Sequence, residues 1–147
     1  MSRKIEDLVP EMQEKALRFA GRMAEVGLPW MLTRTRSAQA EQVALYAQGR
    51  QPLVDVNRLR AMVKWQPIRE SENFVVTWTM KSKHLEGKAF DIAILNDGLP
   101  SWDHKVNVNE NDLPDYLEAG QIGEEVGLVW GGRFKKPDSP HFQLKEG

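Results

Sequence analysis

The chain contains no cysteine among its 147 residues. Disulfide bonds, thiolate metal sites and a cysteine nucleophile are therefore excluded. Any zinc site would have to use histidine and carboxylate ligands. Histidine is also scarce, because only His84, His104 and His141 occur. A metal site in this chain therefore has few possible combinations of ligands.

The sequence has neither a long apolar run nor a large excess of charge of one sign. No apolar stretch approaches the length of a transmembrane helix, and the first residues, MSRKIEDLVPEMQEK, lack the apolar segment of a secretory signal. The net charge of −1 does not indicate binding to nucleic acid or to an acidic membrane. We therefore expect a protein made in the cytoplasm, without a nucleic-acid partner and without membrane insertion. If it acts elsewhere, another factor has to release it.

The length and composition are those of one globular domain. Hydrophobic residues make up 41% of the chain and charged residues 28%, which are ordinary values. A chain of this length can bury a core without disulfides or oligomerisation. No repeat, low-complexity segment or linker is visible. We therefore expect residues 1–147 to form a single domain, with no separate binding module.

The spacing of apolar residues predicts four helices. Between Leu8 and Val26 they recur at steps of three and four, which is typical of an amphipathic helix with Pro10 in its first turn and Gly27 at its end. Further helices are predicted at 37–50, 54–65 and 112–127, with Ser37, Asp55 and Asp112 as N-caps.

Short segments rich in β-branched and aromatic residues predict four strands, MLTRTR (31–36), FVVTW (74–78), AFDIAIL (89–95) and HFQL (141–144). Polar loops are expected at 66–73 and 96–111. The strands lack the regular spacing of βαβ units. The pattern therefore predicts an α+β fold, with helices packed on a small antiparallel sheet.

The segment SKHLEGKAFD (82–91) sets a histidine and an aspartate around a glycine that permits a tight turn. If the 141–144 strand pairs antiparallel with the 89–95 strand, His141 and Asp91 come to facing positions. With His84 they would supply two imidazoles and one carboxylate, the ligand number of a catalytic zinc site. The alternative is that His84 and Asp91 form a hydrogen-bonded structural pair.

Asp138 precedes His141 by three residues. A hydrolytic metal site needs a carboxylate that accepts a proton from the attacking water, and Asp138 could serve. The alternative is a turn-forming residue in KPDSP. His104 lies in a polar loop without a motif around it, so we leave it out of the site.

Four sequence blocks resemble a known family. S82-K-H84-L-E-G87-K-A89-F-D91 resembles the S-x-H-x-x-G-x-A-x-D motif of the zinc D,D- and L,D-peptidases of the M15 type, and D138-S-P-H141 resembles their second motif. R36-S with Q42-V-A-L-Y-A-Q-G-R50, and G127-L-V-W-G-G132, also resemble that family. The branch they resemble is that of small phage endolysins with L-alanyl-D-glutamate peptidase activity. The resemblance runs from Arg36 to Leu144.

The resemblance implies a D,D-peptidase/hedgehog-like fold and one Zn²⁺ per chain. It implies His84, Asp91 and His141 as zinc ligands and Asp138 as the catalytic base. It also implies that Arg36 steadies the substrate or the developing oxyanion and that Ser82 contacts the substrate. The implied partner is bacterial peptidoglycan, cut in its stem peptides. Separately, we expect the enzyme to be a monomer.

Several alternatives stay open at the level of the sequence. The enzyme could instead be a D-alanyl-D-alanine carboxypeptidase, and the domain could be a zinc-stabilised wall-binding module without turnover. Arg36 could be a surface residue beside Ser37, and Trp130 is a core residue more readily than a cleft residue. Residues 51–73 are longer than expected for the family, which leaves the cleft rim and the cleaved bond open. The carboxylates of the 96–112 loop lack the spacing of an EF-hand, so a second cation is not indicated.

Overall fold

The structure is a computed structural model that describes residues 1–146. The helices are α1 Pro10–Glu25, α2 Gln39–Ala47, α3 Leu53–Met62 and α4 Asp115–Glu125. The strands are β1 Trp30–Arg34, β2 Ala89–Asn96, β3 Leu99–Ser101, β4 Leu128–Trp130 and β5 His141–Leu144. They form one antiparallel sheet in the order β1-β2-β5-β4, with β3 paired to β2. The predicted α+β fold is confirmed. In residues 1–146, none of the helices combines the length and apolar character that crossing a bilayer requires.

Helix α1 covers the apolar face of the sheet. Its side chains at steps of three and four, Met12, Ala16, Phe19 and Met23, are all buried. The Phe19 ring lies 5.0 Å from the ring of Phe142 on β5. Full burial of each of the three larger side chains, Met12, Phe19 and Met23, stabilises the fold by about 1.5–3 kcal/mol. This core holds β2 and β5 together from one side, and the opposite face is left to polar groups.

The register of β2 against β5 places Asp91 opposite His141, as expected from the sequence. On the other side of β2, strand β1 pairs with it through an irregular step between Leu32 and Arg34, where Thr33 is the extra residue of a bulge. A bulge changes which way the following residues point. The bulge therefore affects the directions in which the side chains of Arg34 and Arg36 point.

The three predicted N-caps are wrong. Helix α2 begins after Ala38, because the Ser37 hydroxyl instead accepts a hydrogen bond from Arg34 Nε at 2.7 Å. The Glu41 carboxylate caps the helix instead and accepts a hydrogen bond from the Ala38 N–H at 2.8 Å. Helices α3 and α4 start directly after Pro52 and Pro114, where the fixed φ of proline favours the first turn. Neither Asp55 nor Asp112 is a cap.

The predicted strand at 74–78 does not form. The segment is irregular and outside the sheet, and it is held by the side chains of Gln42 within α2 and of Arg50 beyond the end of that helix. Gln42 Nε2 donates to the Thr79 carbonyl at 2.7 Å, and an Arg50 guanidinium nitrogen donates to the Thr77 carbonyl at 2.9 Å. Its aromatic residues Phe74 and Trp78 are exposed. The apolar pattern of this segment therefore faces outwards.

Strand β3 lies inside the predicted 96–111 loop. It is joined to β2 by Asp97 and Gly98, which have φ of 53° and 77°. Two consecutive positive φ values are typical of a type I′ hairpin turn, for which Asp-Gly is a preferred pair. The sequence therefore carried the signal for this hairpin.

Candidate metal centre

Three elements bring His84, Asp91 and His141 to one place. His84 lies in a short 3-10 turn, Lys83–Glu86, while Asp91 is on β2 and His141 on β5. One Asp91 oxygen, Oδ1, is 3.1 Å from His84 Nε2 and 2.9 Å from His141 Nδ1. The potential ligand atoms of the three side chains all lie within 4.8 Å of one another. This spacing is compact enough for one ion to contact all three.

The turn that presents His84 depends on Ser82 and Gly87. Ser82 Oγ accepts a hydrogen bond from the His84 N–H at 3.2 Å, which caps the turn. Gly87 ends it at φ +69°, a left-handed conformation that glycine adopts without steric cost. A Cβ at this position would also lie 3.1 Å from the Asp7 carbonyl oxygen. The chain can thus reverse directly into β2, which brings His84 back over Asp91.

Hydrogen bonds behind the two rings determine which nitrogen of each is bare. His84 Nδ1 lies 2.7 Å from the Thr35 carbonyl oxygen, and His141 Nε2 lies 2.8 Å from Gln143 Oε1. Both oxygens are acceptors, so both of these nitrogens carry the proton and donate. In the neutral rings, His84 Nε2 and His141 Nδ1 therefore present lone pairs to the Asp91 carboxylate. Metal-bound histidines are oriented in the same way, with the second nitrogen donating to an oxygen.

The two nitrogen lone pairs and the Asp91 oxygen repel one another, and a cation bound between them would remove this repulsion. Burial by itself raises the pKa of Asp91, but the hydrogen bonds and positive charge that His141 and His84 supply when protonated outweigh it and hold that pKa well below its usual range. Burial lowers the pKa of His141, and the neighbouring Asp91 more than offsets this, so the pKa is raised. Both pKa shifts show that positive charge is favoured between these three side chains. The nitrogen and oxygen donors present fit a zinc ion, which accepts two imidazoles and a carboxylate.

Asp138 lies beside this cluster on the loop before β5. Its N–H donates to the Gly131 carbonyl at 2.8 Å, and a Cβ at Gly131 would lie only 2.3 Å from the Asp138 carbonyl oxygen. The close approach therefore requires glycine at 131. Desolvation raises the pKa of the Asp138 carboxyl, and the negative charge of Asp91 raises it further. A carboxylate with a raised pKa is a better proton acceptor near neutral pH.

The structure brings Arg34, and not Arg36, to the cluster. Arg34 lines the cleft, with its guanidinium held by Ser37 Oγ at 2.7 Å and Gln42 Oε1 at 2.9 Å. Burial lowers the pKa of this guanidinium, while Asp91 and other carboxylates counteract the shift. Arg36 is exposed and does not line the cleft. Sequence reasoning missed Arg34 because the bulge at Thr33 cannot be read from the alternation of T-R-T-R.

The other residues that the sequence brought forward take different places, and only one of them lines the cleft. Ser82 lines it and caps the turn of His84. Trp130 is a buried core residue whose Nε1 donates to the Ser139 carbonyl at 2.7 Å. His104 is exposed and lies outside the cluster of His84, Asp91 and His141.

The cluster opens into a cleft of about 870 Å³. One wall is the 76–79 segment and the other is the 134–138 loop, with the histidines and Asp91 at the base. A cleft of this volume is within the range of ligand-binding sites. It can admit a peptide to the three donor atoms and Asp138.

Comparisons with known proteins agree with this arrangement. Residues 76–144 match the M15 peptidase family described as D-alanyl-D-alanine carboxypeptidase. The chain is 28% identical over 142 residues to the peptidoglycan L-alanyl-D-glutamate endopeptidase CwlK of Bacillus subtilis, covering 94% of this chain and 74% of CwlK. It also resembles the crystal structure of the L-Ala D-Glu endopeptidase ChiX of Serratia marcescens, with a TM-score of 0.54 at 21% identity over 96% of this chain and 83% of ChiX. These findings confirm the resemblance to peptidases of the M15 type that the motifs predicted.

Proposed function

We propose that this chain is a zinc-dependent peptidoglycan peptidase that hydrolyses the L-alanyl-D-glutamate bond of stem peptides. The observation that carries the proposal is the orientation of His84 and His141, which both present a bare nitrogen to one Asp91 oxygen. Asp138 lines the same cleft. The activities for which CwlK and ChiX are named support the choice of bond.

The roles of the residues follow from their positions. Zinc held by His84, Asp91 and His141 would supply Lewis-acid polarisation of the scissile carbonyl and of a water molecule. Asp138 accepts the proton of the attacking water and passes it to the departing amine. Arg34, held by Ser37 and Gln42, offers a fixed positive charge to the oxygen on which negative charge develops. No side chain of the protein needs to form a covalent bond with the substrate.

We also propose the biological setting that the motif resemblance implies. The protein acts as a phage endolysin, a monomeric single catalytic domain that serves lysis of a bacterial host. It is made in the host cytoplasm and meets peptidoglycan after another factor releases it. The resemblance of the motif blocks to the endolysin branch supports this setting.

A D-alanyl-D-alanine carboxypeptidase is the second candidate, because the matching family carries that description. Mass analysis of muropeptides after digestion of Gram-negative peptidoglycan separates the two. New D-glutamyl N-termini support the proposed bond. Release of free D-alanine, with the L-alanyl-D-glutamate bond intact, would assign the carboxypeptidase activity instead.

A further inference from the structure

We propose that the lysine rim, defined as Lys81, Lys135 and Lys136, recognises the free carboxylate of the D-glutamyl residue in the substrate. This inference rests on the proposed function. It adds that the enzyme distinguishes stem peptides with a free D-glutamate carboxylate from those in which that group is an amide.

All three lysines of the rim line the cleft and are exposed. Within residues 1–146, none of them forms an ion pair with a carboxylate. Lys83 differs, because its ammonium is 2.7 Å from a Glu146 oxygen and 3.7 Å from a Glu86 oxygen. The charges of the rim are therefore available to a ligand, whereas that of Lys83 is already neutralised.

Lys136 is the best positioned member of the rim. Its Nζ lies 3.1 Å from the centre of the Trp78 ring. Lys136 belongs to the loop that forms one wall of the cleft and Trp78 to the segment that forms the other. A cation–π contact of this kind restrains a flexible side chain without neutralising its charge. The ammonium is thus held across the mouth of the cleft.

The cleft differs in charge from the whole molecule. The chain carries a net charge of −1. Without the paired Lys83, the cleft lining still has four cationic side chains, Arg34, Lys81, Lys135 and Lys136, against the two carboxylates of Asp91 and Asp138. A cleft lined mainly by one sign of charge raises the local concentration of ligands of the opposite sign. The cleft is therefore suited to an anionic peptide.

A peptide with an L-alanyl-D-glutamate bond has the required charge close to the scissile bond. Its D-glutamyl residue has two carboxyl groups and continues the chain through one of them. The other is either a free carboxylate or a carboxamide. Only the carboxylate can pair with the ammonium groups of the rim, and amidation removes that attraction while keeping nearly the same shape.

The test compares two synthetic stem peptides that differ only in this group, a free acid and its amide. We expect wild-type kcat/KM to be roughly two- to fivefold higher for the acid, because partly exposed ion pairs contribute modestly. In Lys136→Gln and in the double variant Lys135→Gln/Lys136→Gln, this acid-to-amide ratio should fall towards one. Lys105→Gln removes an exposed lysine outside the cleft and should keep the wild-type ratio.

Calorimetric binding of the same two peptides to Asp138→Asn protein, with and without the lysine substitutions, gives a readout that does not need turnover. Tighter binding of the acid that is lost in the lysine variants supports the proposal. Equal affinities in the parent protein, or a preference that the lysine variants retain, would overturn it. If neither peptide is cut at the L-alanyl-D-glutamate bond, the proposed function fails, and the binding comparison still decides the role of the rim.

Discussion

At the scale of single residues, the surroundings of Asp138 differ from those of His84, Asp91 and His141. Asp138 lines the cleft but lies outside the set of donors that converge within 4.8 Å. Its loss should therefore affect proton transfer and not metal binding. The donors should show the opposite order of effects, with metal lost first and activity lost as a result.

Asp138→Asn keeps the shape of the side chain and removes proton acceptance. We expect turnover to fall by about 10²–10⁴-fold, the usual contribution of general acid–base catalysis, while bound zinc stays near one per chain. Zinc content and turnover are measured on the same preparations. His84→Ala should lose both together, and His104→Ala, which removes an exposed histidine, should lose neither. Near-normal turnover in Asp138→Asn would remove this residue from the mechanism.

The two arginines of T-R-T-R give a second comparison between close neighbours. Arg34→Gln should lower kcat by about 10²-fold, since a fixed donor to developing negative charge typically contributes this much. Arg36→Gln should be close to wild type, because its side chain is exposed and does not line the cleft. Steady-state kinetics on one stem peptide measures both. A large loss in Arg36→Gln with a normal Arg34→Gln would restore the role that the motif resemblance implies for Arg36.

At the scale of elements, the approach of the Asp138 loop to the short turn Gly131–Arg133 decides where the carboxylate stands. A methyl group at 131 would lie 2.3 Å from the Asp138 carbonyl oxygen and 2.9 Å from His141 Cβ. Real side chains do not tolerate such distances, so backbone must move. The loop can carry its carboxylate to the cleft only because residue 131 has no side chain.

Gly131→Ala should lower both the melting temperature and turnover. Gly21→Ala is its matched control, because a Cβ there meets nothing within 4 Å and the position is exposed in the middle of α1. Alanine at that site should stabilise the helix by about 1 kcal/mol, which raises the melting temperature by roughly 2–4 °C. Thermal denaturation of the two variants measures the contrast. Unchanged stability and activity in Gly131→Ala would show that the loop can accommodate a side chain.

Elements with a strong pattern could be predicted from the sequence, and elements set by tertiary neighbours could not. The periodicity between Leu8 and Val26 predicted α1, and the β-branched and aromatic content of 89–95 and 141–144 predicted β2 and β5. FVVTW has strand composition, but the carbonyls of Thr77 and of the adjacent Thr79 accept hydrogen bonds from the side chains of Arg50 and Gln42. Ser37 has the chemistry of an N-cap, but Arg34 uses its hydroxyl. Competing side-chain partners decided both cases, one through residues distant in sequence and one through a residue three positions away.

At the scale of the whole molecule, the site draws on more of the chain than the matched segment. The family match covers 76–144, which includes the histidines, Asp91 and Asp138. Arg34 is the last residue of β1, and the Thr35 carbonyl follows it directly. Helix α1 supplies the Phe19 ring that packs behind β2 and β5. The motifs could therefore indicate the cluster of His84, Asp91 and His141. They could not indicate the residues around it, because a bulge and long-range hydrogen bonds place those.

Metal removal should affect the stability of the entire fold. Zinc that binds only the native state stabilises it by about 4 kcal/mol at a free concentration a thousand times its Kd, and 1 kcal/mol corresponds to roughly 2–4 °C for a chain of this size. We therefore expect a strong chelator to lower the melting temperature by roughly 10 °C and to abolish activity, and zinc to restore both. Calorimetric scans measure the shift. His84→Ala should not respond to the chelator, and a wild-type melting temperature that ignores it would contradict a structural contribution of the metal.

His84 is oriented by a main-chain group and His141 by a side-chain group, and only the second can be removed by a substitution. The oxygen behind His84 belongs to the main chain of residue 35, so every codon at that position encodes it. The oxygen behind His141 belongs to the side chain of Gln143, and a single nucleotide change can delete it. Orienting partners of metal-bound histidines influence metal affinity. Natural variation can thus adjust the affinity of this site gradually through the His141 side, while the His84 side is protected from point mutation at its orienting group.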